Sequence, residues 1–92
     1  GDTFSSDGLE LEFHPNPVSD VAHIHFSQTL SGDATLRITD MNGVTVAELF
    51  NGAVEGNVRY ETEWRAELPA GVYFLQLQTQ QGTAVRKMVV VK

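Results

Sequence analysis

Apolar and polar residues alternate in short runs that turn signals interrupt, and nowhere does the chain sustain a helical period. Period two sends successive side chains to opposite faces of an extended backbone, so the pattern restricts the chain to strands paired in sheets. Leu9, Leu11 and Phe13 share one face of a first strand, which Pro15 and Pro17 end by removing backbone donors and fixing φ. From Val21 to Ser27, Ala22, Ile24 and Phe26 lie opposite Val21, His23 and His25, and the Ile24 and Phe26 face is predicted to be buried. Ala34, Leu36 and Ile38 alternate with Thr35, Arg37 and Thr39. Asp40-Met41-Asn42-Gly43 then supplies a turn where Asn and Gly take φ > 0 at low cost, which predicts a hairpin into Val44–Phe50. Lost alternation at Ala47-Glu48 predicts a bulge, and Asn51-Gly52 through Gly56-Asn57 reads as a loose connection. Val58, Tyr60, Thr62 and Trp64 share the next inward face, with Trp64 expected at the centre of the core because of its large apolar area. Arg65 to Pro69 reads as a short crossover, and Gly71 opens the strongest strand, with Tyr73, Leu75 and Leu77 inward. Gln80-Gln81-Gly82 turns the chain into a final strand, Ala84 to Val91. About seven strands in this order predict an all-β fold, an immunoglobulin-like antiparallel β-sandwich.

Ninety-two residues supply one modest core and no second domain. Residues 1–8 read as the end of a linker and 9–92 as the domain; the start at Gly1 without a Met reads as a piece of a longer protein, whose leader, if exported, lies upstream. A formal net charge of −6 repels phosphate backbones, so nucleic acid is not an expected partner. The absence of cysteine excludes a disulfide scaffold and any thiolate chemistry, while leaving the compartment open. No apolar run approaches the roughly 18–20 residues of a bilayer-spanning helix, so no membrane insertion is expected.

Catalytic constellations are weak. His23 and His25, at i and i+2, stand about 6.6–7 Å apart along a strand, a span that a metal with Asp20 or His14 as a further ligand could bridge. Two imidazoles on the wet face of a strand are more often solvated side chains, and no metal or other cofactor is predicted. Glu61 with Glu63, and Glu10 with Glu12, sit on polar faces of single strands rather than flanking a cleft, and read as solubilising charges. Ser19 beside Asp20 lacks a His partner and a Gly-rich nucleophile turn, and Asp2 to Gly8 lacks the register of a calcium loop. An enzyme is not expected.

Four segments carry a resemblance. Pro15-Asn16-Pro17, the Asp40-Met41-Asn42-Gly43 turn, Leu68-Pro69-Ala70-Gly71-Val72-Tyr73-Phe74-Leu75 and the closing Lys87-Met88-Val89-Val90-Val91-Lys92 resemble, in order and spacing, type A C-terminal sorting domains of type IX (Por) secretion cargo in the Bacteroidetes. The resemblance covers roughly residues 9–92. It departs at His14, where the family commonly has Tyr, and at Arg86-Lys87, where it has a Lys-Lys pair. The resemblance implies a transport signal that directs a covalently fused N-terminal cargo through the outer-membrane type IX translocon. A sortase-like peptidase then removes the domain and joins the cargo to a lipopolysaccharide anchor. The protein would pass through the periplasm and end at the cell surface or secreted, with cleavage in or before Gly1–Gly8.

Recognition residues implied by the motifs are Pro15, Asn16, Pro17, Gly71, Tyr73, Lys87, Val89, Val90, Val91 and Lys92. Physical reasoning adds competing readings for each. Pro15-Asn16-Pro17 is by itself a rigid corner. Lys87 and Lys92 serve equally as edge-strand gatekeepers against aggregation or as steering charges for an acidic receptor. A terminal strand with an open edge invites β-addition, and its opening is expected to cost little. Tyr73 is expected to pack inward with its hydroxyl on a backbone group, as in a tyrosine corner, while Val72 and Phe74 point to the other face as a contact patch or lie under a loop. The alternative function is an accessory binding module of a secreted enzyme, fibronectin-like or carbohydrate-binding, which shares the fold.

Overall fold

The computed structural model describes residues 3–4 and 8–92. Among them are eight strands: β1 (Thr3–Phe4), β2 (Leu9–His14), β3 (Val21–Gln28), β4 (Gly32–Thr39), β5 (Thr45–Val54), β6 (Tyr60–Arg65), β7 (Gly71–Thr79) and β8 (Gly82–Val90). They form a five-stranded sheet in the order β1-β8-β7-β4-β5 and a three-stranded sheet in the order β2-β3-β6, every ladder antiparallel. The two sheets pack face to face as a sandwich, as the alternation predicts. Of the expected linker, residues 1–8, only Thr3, Phe4 and Gly8 are described; Thr3 pairs with Arg86 and Phe4 with Val85. The Asp2–Gly8 stretch considered for calcium otherwise lies outside the described residues.

The inward faces follow the sequence pattern closely. Leu11, Ile24 and Phe26 from the small sheet meet Leu36, Ile38, Leu75, Leu77 and Met88 from the large one, each 2% exposed or less. Phe26, Phe50 and Tyr60 form an aromatic group across the two sheets, with ring centroids 5.4 to 6.1 Å apart. The β4–β5 hairpin turns at Gly43, whose φ is +81°, while the Asp40 carboxylate accepts from the amides of Asn42 and Val44. Only the glycine of the Asn-Gly pair takes positive φ.

Two expectations are corrected. Asn51-Gly52 is not the start of a loose connection: β5 continues to Val54, with Asn51 opposite Thr35 and Val54 opposite Gly32. The register shifts on either side of Ala47-Glu48, where the sequence loses alternation, absorb the extra residues and keep the rest of β5 paired. Trp64 is not the centre of the core but only half-buried, because β6 is an edge strand whose inward residues lie at the rim of the sandwich.

Candidate functional site

The four motif segments gather at one end of the sandwich. Antiparallel pairing puts the end of β4 beside the start of β7 and the end of β8, since Thr39 lies opposite Phe74, Phe74 opposite Lys87, and Gly71 opposite Val90. The hairpin tip at residues 40–44 follows Thr39 directly, so it belongs to the same end. The corner between β2 and β3 reaches this end as well and joins β8 directly.

That joint runs through side chain and backbone alike. Both X–Pro bonds of the corner are cis. The Asn16 amide donates through Nδ2 to the Lys87 carbonyl (3.4 Å) and accepts through Oδ1 from the Val89 amide (3.2 Å). Beyond it Val18, fully buried, donates its amide to the Val89 carbonyl (2.7 Å) and accepts from the Val91 amide (2.9 Å), a short parallel bridge to Val90. The Lys92 ammonium donates to the Ala66 carbonyl, and the Ala66 amide donates to the Asp20 carbonyl (2.7 Å). Corner, crossover and chain end are thus one hydrogen-bonded unit.

This geometry overturns the expected open edge of the final strand. One side of β8 pairs with β7 along its length; the other meets β1 at Val85 and Arg86, Asn16 at Lys87 and Val89, and Val18 at Val89 and Val91. A strand occupied on both sides offers no free backbone row for β-addition. The edge strands among the described residues are β1, β2, β5 and β6.

The individual motif residues divide by burial. Pro15, Asn16, Pro17, Lys87, Val91 and Lys92 are exposed, Gly71 and Val89 are partly exposed, and Tyr73 and Val90 are buried. Tyr73 donates its hydroxyl to the Pro69 carbonyl at 2.8 Å, the tyrosine-corner bond anticipated above. Val72 and Phe74 project from the outer face, each partly exposed. Arg86 and Lys87, adjacent in sequence, serve different sides: Arg86 reaches across the rim of the sandwich to Glu12 (3.2 Å), and Lys87 points to solvent. Val18 and Ala66 escape sequence reasoning, because each lies in a connection with no alternation to mark it as inward.

The histidines cluster on the outer face of the small sheet. Register rows place His14, His23 and Glu63 side by side, and Glu12, His25 and Glu61 in the next row. His14 stacks on His23 with centroids 5.2 Å apart, His23 Nδ1 lies 3.2 Å from Glu63 and His25 Nδ1 3.7 Å from Glu10. The three histidines, Glu61 and Glu63 line a shallow depression of about 420 Å³ together with Ile24 and Thr62. No group of three His, Asp or Glu among the described residues is arranged to hold a metal ion. Arg65 pairs with Asp20 at 3.0 Å, which occupies the carboxylate beside Ser19.

A family model described as a secretion system C-terminal sorting domain matches residues 12–91. The chain belongs to the family of secretion system C-terminal sorting domains. No curated protein matches it. A solved structure, that of dimeric latent PorU from Porphyromonas gingivalis, is similar in fold, with a TM-score of 0.70 and 19% identity over 90% of this chain. The chain spans 9% of that protein's length, and at this identity the likeness bears on the fold alone. As a sorting signal of type IX secretion, the domain marks its protein for export and for a surface or secreted fate. It engages the type IX machinery as a signal.

Proposed function

We propose that this domain carries a fused N-terminal cargo from the periplasm through the outer-membrane type IX translocon and is then cut away by a sortase-like peptidase in or before Gly1–Gly8. The domain is a substrate of that reaction and not an enzyme. Residues 1–8 are read as the end of a linker and 9–92 as the signal domain. Recognition draws on Pro15, Asn16, Pro17, Gly71, Tyr73, Lys87, Val89, Val90, Val91 and Lys92. The observation that carries this reading is the convergence of corner, hairpin tip, Gly71 segment and terminal strand at one end, joined through Asn16, Val18 and Lys92. An isolated spacer gains nothing from concentrating its distinctive residues at one pole.

Residues 1–92 fused to the C-terminus of a neutral reporter in a type IX-competent host test the reading. Surface delivery with loss of the domain is the expected result; periplasmic retention of the intact fusion refutes it. Truncation of Lys87–Lys92 is a poor probe, because Met88 and Val90 are core residues at 0% and 1% exposure. Their removal opens cavities on a scale of about 2–5 kcal/mol each.

A further inference from the structure

The six cations of the chain fall into two groups. Arg59 lies 3.7 Å from Glu10, Arg65 3.0 Å from Asp20 and Arg86 3.2 Å from Glu12. Arg37, Lys87 and Lys92 have no carboxylate within ion-pair distance among the described residues. Arg37 donates to the side chains of Gln76 and Gln78, while Glu48, opposite it in register, accepts from Asn51. Lys92 is tied to a carbonyl, which leaves Lys87 with an ammonium unengaged among the described residues.

Parity along β8 fixes where that ammonium points. Ala84, Met88 and Val90 are buried, so Val85, Lys87 and Val89 project from the outer face of the five-stranded sheet. Phe74 lies opposite Lys87 and Val72 opposite Val89, both partly exposed, and Arg37 follows in the next row. At the same end of the sheet the hairpin tip exposes Met41 by 72% and Val44 by 57%. The far face of the sandwich carries Glu10, Glu12, Glu61 and Glu63. A domain of net charge −6 therefore has one side where a cation with no ion pair among the described residues sits among apolar side chains.

We propose that this patch, Val72, Phe74 and Val89 around Lys87, is the surface the secretion machinery reads, and that the receptor meets it with an apolar groove carrying a carboxylate. The proposal rests on the sorting reading and deepens it by naming the face and the chemistry of its partner. Apolar contact expels water from around the ammonium, which strengthens its attraction to a carboxylate and penalises a receptor lacking one. The acidic remainder of the domain repels such a groove, so only this side docks. Strand addition is not the route, since both sides of β8 are filled. Buried Tyr73 and Val90, with Asn16, are positioning residues that hold β7 and β8 in the register that builds the patch.

A second copy of this chain is the competing occupant, because its four-glutamate face complements Lys87 in charge. Reporter export and light scattering on the purified chain separate the two. Lys87→Glu and Val72→Thr are expected to lower surface delivery by about tenfold. On the far face, Glu61→Lys exports like the parent, and melting temperatures of all three variants stay within a few degrees. Parental export of both Lys87→Glu and Val72→Thr overturns the patch while leaving the sorting function standing. Failure of the unmodified domain to direct export overturns the sorting reading and the patch with it. A dimer in solution that Lys87→Glu dissolves makes a second copy the occupant and overturns the proposed receptor.

Discussion

Asn16 does the work of a short strand with one side chain: its amide presents a carbonyl and an N–H to β8 with the spacing of a neighbouring backbone. Asn16→Ala is expected to lower stability by about 1 kcal/mol in urea unfolding, and hydrogen exchange should speed up at the Val89 amide while Val91, held by Val18, stays protected. Tyr73→Phe removes the bond to the Pro69 carbonyl and leaves the ring packed. Calorimetry should show a loss of about 1 kcal/mol, or roughly 4–8 °C in a domain of this size. Gly56 is a different kind of residue: a Cβ there would sit against the Thr29 carbonyl oxygen and the backbone of Leu30 and Ser31. Gly56→Ala therefore forces a backbone shift and should cost about 1–3 kcal/mol, whereas Gly52→Ala, whose nearest neighbour is the Phe50 ring at 3.8 Å, is tolerated; urea midpoints measure both.

At the scale of elements, strands with strict alternation were readable from residues alone. β2, β3, β4 and β7 bury Leu11, Ile24, Phe26, Leu36, Ile38, Leu75 and Leu77 as their periodicity dictates. What the pattern could not supply was neighbourhood. Asn51-Gly52 carries a turn signature, yet it lies in a strand because β4 offers paired partners through Gly32. Trp64 has the largest apolar side chain, yet it sits at the rim because β6 gained no neighbour beyond it. The terminal strand was expected to be an open edge, since nothing in Pro15-Asn16-Pro17-Val18 signals that a connection would lie along β8. For the site the same limit applies: the motif segments were legible as segments, and their assembly into one pole was not. Amide exchange tests the corrected edge, with the β8 amides from Met88 to Val90, and the Val91 amide that follows, expected to match those of β7 in protection rather than to open first.

Taken whole, the molecule places Glu10, Glu12, Glu61 and Glu63 on the outer face of the small sheet and Lys87, with no ion pair among the described residues, on the outer face of the large one. The clamp joins Lys87 and Val89 to Asn16, partners 71 and 73 residues apart in sequence, and the fold as a whole is made of pairings between distant strands. Closing such long loops places folding in the millisecond-to-second range typical of sandwiches. The face shared by β7 and β8 is a local hairpin, with Thr79 opposite Gly82, but it is fixed in place only when β4 and the Asn16 corner, distant in sequence, have met it. A receptor that reads that face thereby samples finished domains alone and passes over chains still searching for their fold.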